Sequence, residues 1–560
     1  MSGLIDSNSR FAVNPTNIRG IQRSKFDMSH TIKTTFNAGD LIPFDVMEVL
    51  PGDTFNVETN TLTRLQTLIT PLMDDMYLDT YYFFVPNRLV WDHWKEFNGE
   101  NSKSSWYPTT TYTVPKILVT AEELTNSRNT IIDYMGFPVQ ALKKDSALIN
   151  ALPIRAYNLI WNEWFRDQNL QDPILVPTDD AEYKFSATDS VSGGIVLKAN
   201  KYHDYFTSAL PSPQKGPDVT LAMSGGKDLP VYVKADTIPD NLIDWSAQPS
   251  YKVKNGFPSG DTRHMFLEGA SASGTAYTKG YVFPAISGAG NSFQIAPNNL
   301  WAQTDGASVA TINQLRLAFA TQQLYELDAR GGTRYVEILK SHFGVTSPDA
   351  RQQRPELLAY NHTPVNINQV VQQSGTNTTT ALGDVAGLSV TADSDNSFVK
   401  SFTEHGFIIG LATVRYKHSY QQGINRIWTR KTRFDYYWPV FANIGEQPIL
   451  NSEIYLQGDS ADYEVFGYQE AWAEYRYVPD RVSGEMRSGI PKTLDYWHLA
   501  DNYSSLPHLS SDWIQETAVP VNRAIAVEDK LVDQFFMDIY LKIEATRPMP
   551  MYSIPGLTRM

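Results

Sequence analysis

Apolar and polar positions alternate along several stretches near the two ends of the chain and recur at helical spacing in between. In QFFMDIYLKIEA, residues 534 to 545, Phe535, Met537, Ile539, Leu541, Ile543 and Ala545 fall on one side, and Asp538, Lys542 and Glu544 on the other. This period of two predicts a strand with one buried face. Near the start, DLIPFDVMEVL and TFNVET flank Pro51-Gly52-Asp53, a turn triplet that predicts a pair of strands. MYLDTYYFFVP, residues 76 to 86, is aromatic on both sides, as expected of a strand buried on both faces or lying at a subunit contact, and Pro86 ends it. GFIIGLATVRYKHSY reads as a further buried strand.

Helical spacing appears in NRLVWDHWKEF and RAYNLIWNEWFRDQN, the second with Tyr157, Ile160, Trp161, Trp164 and Phe165 on one stripe. It returns in TINQLRLAFATQQLYELDAR, where Leu317, Ala320, Leu324 and Leu327 line one face. TRYVEILKSHFG follows, closed by Gly344 and Pro348. Residues 1 to 37 are polar and without periodicity, so an extended or loosely ordered arm is expected. Residues 175 to 310 are rich in Gly, Ser, Pro and Asn with short strand-like runs, the texture of a long surface insertion. Residues 372 to 397 read as another polar loop. The sum is a mainly β fold with helical insertions.

Composition supports that class. The chain has 560 residues, of which 12% are aromatic, with 34 Gly and 32 Pro, a mixture suited to strands joined by many turns. It contains no cysteine, which excludes disulfides, thiolate chemistry and Cys-ligated metal sites. The start has no basic segment leading into an apolar run, and nowhere do about 18 apolar residues follow one another. A chain made in a cytoplasm, with no membrane insertion, is expected. A net charge of −14 argues against a surface that binds nucleic acid throughout. The charge is uneven, however: in the first 35 residues Arg10, Arg19, Arg23, Lys25 and Lys33 face only Asp6 and Asp27.

Candidate catalytic groups fail on context. Gly331-Gly332 lies between two helical patterns with no following Lys, so it is not a phosphate-gripping loop; Gly331 is expected to supply a positive φ and Thr333 to cap the next helix. Glu163 beside Trp161 and Trp164 resembles a sugar-cleaving carboxylate on an aromatic platform, but no second carboxylate is identifiable. This leaves a carbohydrate-binding or carbohydrate-cleaving β-sandwich as the competing class. Asp393, Asp395, Ser397 and Glu404 sit at calcium-loop spacing, yet Phe398 occupies the place that needs Gly. No zinc-hydrolase or nucleophile-elbow motif is present, and neither a metal nor another cofactor is expected. The basic arm is a candidate for neutralising phosphates. A second basic stretch, residues 416 to 438, interleaves Arg426, Arg430, Lys431 and Arg433 with Trp428, Tyr436 and Tyr437. It suits either a nucleic-acid surface or a contact between subunits through cation–π and salt contacts, and the subunit contact is preferred.

Several longer strings carry a resemblance. DARGGTRYVEILKSHFGVTSPDARQQRPE, RAYNLIWNEWFRDQNLQDP, ALPSPQKGPDV, FTEHGFIIGLATVRYKHSYQQGINRIWTR and RPMPMYSIPGL together resemble the major capsid proteins of the gokushoviruses, small tailless bacteriophages of the Microviridae. The resemblance runs from the N-terminal arm to the last dozen residues. It implies an eight-stranded antiparallel jelly roll with long loop insertions that contain several helices. It implies no enzyme, but a T=1 icosahedral shell of about sixty copies around a circular single-stranded DNA genome. On that reading residues 1 to 37 form an interior arm, and residues 38 to 174 begin the jelly roll. Residues 175 to 310 form the threefold protrusion used in host attachment through a surface receptor, and residues 311 to 560 hold a helical segment, loops and the remaining strands. An acidic subunit cannot offset a phosphate backbone alone, so a separate small basic DNA-packaging protein is implied as a partner.

Overall fold

The computed structural model describes residues 22–101, 110–140, 142, 146–219, 231–233, 250–254, 262–264, 294–297, 300–302, 312–376, 378, 381–527 and 532–552. The chain divides into two units, one made of Met1–Lys215 and Glu326–Met560 and the other of Gly216–Tyr325. The described strands of the second unit pair antiparallel: Ser250–Lys254 with both Thr262–His264 and Gln294–Pro297, and Val231–Val233 with Leu300–Ala302. Residues 175–215, grouped by texture with the insertion, belong to the larger unit, where Phe185, Val196, Tyr205 and Phe206 are buried.

The larger unit is built on two antiparallel sheets. Their strands are β1 (Ser24–Asp27), β2 (His30–Phe36), β3 (Ile42–Val49), β4 (Thr54–Leu65), β5 (Met76–Pro86), β6 (Glu356–Pro364), β7 (Thr391–Ser401), β8 (Gly406–Tyr416) and β9 (Phe535–Arg547). The first sheet runs β1-β9-β4-β7, with β2 also on β9; the second runs β6-β5-β8-β3. Because β4 lies along the whole of one flank of β9, β1 and β2 share the other flank end to end. This is the interleaved strand order of a jelly-roll sandwich, in which the chain crosses between the sheets at every step from β2 to β5 and again from β6 to β9.

Alternation explains the packing of the first sheet. The inward residues Phe535, Met537, Ile539, Leu541, Ile543 and Ala545 of β9 are all buried, as the period of two predicted, and Phe55, Val57 and Leu65 of β4 join them. The two sheets meet through aromatic contacts. The Tyr82 ring lies 5.4 Å from Phe398, its hydroxyl is 2.8 Å from Thr59 Oγ1, and Phe84 is 4.6 Å from Phe402. At the turn between β3 and β4, Gly52 has φ +92, and the Asp53 carboxylate accepts a hydrogen bond from the Leu50 N–H at 2.9 Å.

The two central strands of the second sheet, β5 and β8, are buried on both faces, which accounts for their largely apolar sequences. Its outer face is covered by the helix α1 (Leu152–Ile160) and the wider turn Trp161–Phe165. Trp164 lies 5.3 Å from Phe83 and Phe165 lies 5.1 Å from Tyr81. The same face hides a carboxylate. Asp79 is fully buried and accepts from Arg415 Nη2 at 2.5 Å, Tyr202 at 2.7 Å and Tyr360 at 3.1 Å, while His362 Nδ1 lies at 2.6 Å. A buried charge needs such partners, because burial without them costs several kcal/mol.

Beyond β8 a second polar knot ties the covering loops together. His418 stands between Asp501 at 3.1 Å and Glu516 at 3.0 Å, and Lys201 approaches Asp501 at 3.7 Å. Burial alone would push the His418 imidazole down, but the charges of Asp501 and Glu516 and their hydrogen bonds outweigh it and raise it to about 9.

Several local expectations change. The arm is not loose where it is described: residues from Ser24 to Phe36 pair with β9. NRLVWDHWKEF forms only the short turns Asn87–Leu89 and Trp94–Phe97, with Trp91 buried between them. Residues 391 to 397, read as loop, are strand, because small polar side chains suit the solvent-facing side of β7. The left-handed residue after the helix α2 (Ile312–Gly331) is Gly332, with φ +95, rather than Gly331. Gly331 is instead required by close approach, since a Cβ there would stand 2.5 Å from Ser341. At the start of α3 (Tyr335–Phe343) the Glu337 side chain, not Thr333, accepts the Arg334 N–H, at 3.0 Å.

Candidate subunit and nucleic-acid interfaces

Residues 426 to 444 build an exposed aromatic shelf. Three short turns, Arg426–Trp428, Arg433–Asp435 and Pro439–Phe441, fold the segment. Asn425 caps the first by accepting the Ile427 N–H at 3.0 Å, and Asp435 accepts from Lys431 and Thr432 at 2.8 and 2.7 Å. Two predicted interface residues turn inward and anchor the shelf. Arg426 pairs with Glu453 at 2.9 Å, and Arg430 lies over Tyr475 at 4.3 Å while donating to its hydroxyl at 2.6 Å. Burial would push the Arg426 guanidinium down, but Glu453 and its neighbours raise it, so its charge is held in place.

These salt and cation–π contacts are therefore made within the subunit, and the groups left for a neighbour are rings. Trp428 is 75% exposed, and Ile427, Phe434, Tyr436, Tyr437, Trp438, Val440 and Ile444 are exposed with it. Lys431 lies 5.9 Å from the Tyr463 ring and Arg433 lies 4.8 Å from the Phe434 ring, both at the surface. So many exposed apolar side chains gathered within one short segment mark an interaction surface.

The predicted nucleic-acid contacts fall along the first sheet. Arg10 and Arg19 lie outside the described residues, and Arg23 is exposed just before β1. Lys25 is paired with Glu544 at 2.7 Å and Lys33 with Asp538 at 3.8 Å, so β9 already answers the two lysines. Among the described residues the outer face of this sheet is walled only at one end, by the turn Ile131–Tyr134, and two aromatic residues stand on it: Phe536 is 38% exposed and Tyr540 is 45% exposed. The sequence reading took Asp538, Lys542 and Glu544 as that face and passed over these rings. Their even numbers in a period-two strand were the available signal.

The catalytic candidates are structural. Trp161 is buried and donates to the Lys198 carbonyl at 2.8 Å; Trp164 donates to the Pro355 carbonyl at 3.0 Å and lies under Arg354 at 4.1 Å. No sugar platform remains beside Glu163. Asp393 accepts from Asn361 at 2.5 Å within a paired strand, and Glu404 accepts from Arg88 at 2.6 Å, so the calcium-loop spacing is taken up by protein contacts. Among the described residues, no group of three or more His, Asp and Glu side chains is placed to hold a metal ion.

Comparison with known proteins joins these features. Residues 16–557 match the family described as capsid protein (F protein). The chain belongs to that family. It is similar to the capsid protein VP1 of Chlamydia phage 1, at 40% identity over 99% of this chain and 98% of the relative. It is likewise similar to those of Bdellovibrio phage phiMH2K, at 42% over 95% of each, and of Spiroplasma virus 4, at 41% over 96% of each. This capsid protein is thus a structural component of the virion of a gokushovirus-type member of the Microviridae, not an enzyme. Among its described residues no helix is long and apolar enough to cross a membrane.

Proposed function

We propose that about sixty copies of this capsid protein, made in the cytoplasm of a host bacterium, close into a T=1 icosahedral shell around a circular single-stranded DNA genome. The observation that carries this reading is the aromatic shelf. A lone subunit leaves Trp428, Tyr436, Tyr437 and their apolar neighbours in water, and copies of itself are the surfaces available in fixed number and geometry to cover them. Closed symmetry then stops growth, which an open contact would not.

Within this reading Arg10, Arg19, Arg23, Lys25 and Lys33 contribute to genome contact, Arg426 and Arg430 pre-order the shelf, and a separate small basic protein supplies the charge that an acidic subunit lacks. The part of the insertion outside the larger unit, residues 216 to 310, serves attachment to a host surface receptor. Electron microscopy of the purified chain tests the core of the proposal: closed shells are expected, and a strictly monomeric protein at high concentration rejects it. Trp428→Ser with Tyr437→Ser should leave folded subunits that no longer assemble. Replacing Arg10, Arg19, Arg23 and Lys25 with Gln should lower the DNA content of particles more than their number. Particles that still form after replacement of that part by a short linker should fail to adsorb to cells.

A further inference from the structure

The outer face of the first sheet has an unusual surface for an acidic chain. Along β9 it presents Phe536, Asp538, Tyr540, Lys542 and Glu544, and the register sets Arg64 and Thr35 beside Phe536, and Asn60 and Thr31 beside Tyr540. Its charges cancel in pairs: Lys25 with Glu544, Lys33 with Asp538, and Lys542 with Glu58 at 2.8 Å. Arg64 is exposed, with no carboxylate within 4.0 Å among the described residues. At the Phe536 end, Asn129, Asp133 and Tyr134 wall the face into a cleft of about 680 Å³ that also includes Lys33 and Arg64. The result is a sheet surface with rings, amides and hydroxyls whose lysines are all paired, with Asp27 beside Glu544 at one end and Asp133 and Asp533 at the Phe536 end.

We infer that this face is a base-stacking surface for single-stranded DNA, with Phe536 and Tyr540 as the platforms and Asn60 and Thr31 beside Tyr540 as hydrogen-bonding groups. The inference rests on the genome-enclosing shell proposed above and specifies how a subunit meets that genome. Three observations favour DNA over a second protein copy as the occupant. Pairing of Glu544, Asp538 and Glu58 with lysines, beside the unpaired Arg64, lowers the repulsion that an acidic surface offers a phosphate backbone. Arg23 is exposed just before β1, on the edge of this sheet, so the described part of the basic arm brings a cation to the border of the face. The two rings stand four positions apart along the strand, about 13 Å at ~3.3 Å per residue, a spacing that engages an extended strand at separate points. Every base has a π face, so such a surface tolerates any sequence, whereas a duplex hides those faces.

The test uses full-length subunits released from particles and a fluorescent oligothymidylate. Phe536→Ala and Tyr540→Ala should each weaken binding by about five- to a hundredfold, with little change in the dependence of affinity on salt, while Tyr540→Phe retains binding. Gln replacements at Arg10, Arg19 and Arg23 should instead flatten the salt dependence, because they remove phosphate contacts. If the alanine variants misfold, particles of the unaltered chain filled with bromouracil-substituted DNA give the second readout: irradiation should cross-link DNA to the peptide that holds Phe536 and Tyr540. Unchanged oligonucleotide affinity in folded variants, or filled particles without cross-links in residues 535–547, overturns the inference while leaving the shell intact. Loss of assembly with unchanged DNA affinity also overturns it, by assigning the face to a neighbouring subunit. Failure of the unaltered chain to form shells at all counts against the shell reading itself.

Discussion

The two sheets of the sandwich share one core yet differ on their outer sides. The outer side of the second sheet is roofed by α1 and the loops around it, and its two central strands are largely apolar with a charge network set around Asp79. The outer side of the first sheet is open, and its strands alternate. The difference shows where this chain specifies its own fold and where it leaves surface for other molecules. Structure is fixed from the roofed side, and the open side tolerates chemistry that folding does not require.

The largest expected effect comes from breaking the roofed side. Asp79→Ala strands Arg415, Tyr202, Tyr360 and His362 at once and should cost ~3–5 kcal/mol, measured by denaturant unfolding of released subunits. Next, matched truncations set the sheets against each other. Phe83→Ala, at a ring that is 1% exposed beneath Trp164, should cost ~3 kcal/mol, and Phe536→Ala, on the open side, ~1 kcal/mol or less. Equal losses would erase the proposed distinction.

A titration sharpens the comparison further. His418 has an ordinary value near 6.5 that the fold raises to about 9, so the stability it contributes is complete below about 6.5 and is lost as pH rises through about 9. Melting temperature should fall between pH 7 and pH 10, and His418→Gln should start lower and vary less over that range. The smallest effect belongs to the open side: Lys542→Gln removes an exposed pair with Glu58 and should leave the melting temperature within error.

How much of this was legible depended on distance along the chain. The buried row of β9 and the double-sided burial of β5 follow from local periodicity, and so they could be read directly. The aromatic shelf was visible because its residues are contiguous, although the inward turn of Arg426 and Arg430 was not: their partners Glu453 and Glu474 come later in the chain. Asp79 lies 283 residues from His362 and 336 from Arg415, and His418 lies 83 and 98 from Asp501 and Glu516. No spacing rule links such positions before the sheets are assembled. The helical pattern of residues 87 to 97 gave way to short turns around the buried Trp91, whereas that of residues 155 to 169 held through Ile160 and widened only at Trp161–Phe165, where Trp161 and Phe165 pack on neighbouring surfaces.

The pairing of β2 with β9 sets Phe36 against Phe535, so the strand laid down almost first waits for the strand laid down almost last. Pairing across so long a stretch of chain closes a large loop, which is slow compared with pairing between sequence neighbours, and it cannot precede synthesis of β9. A truncated product lacking its final strand would therefore leave the sandwich unsealed, so that quality control of finished subunits is written into the order of synthesis.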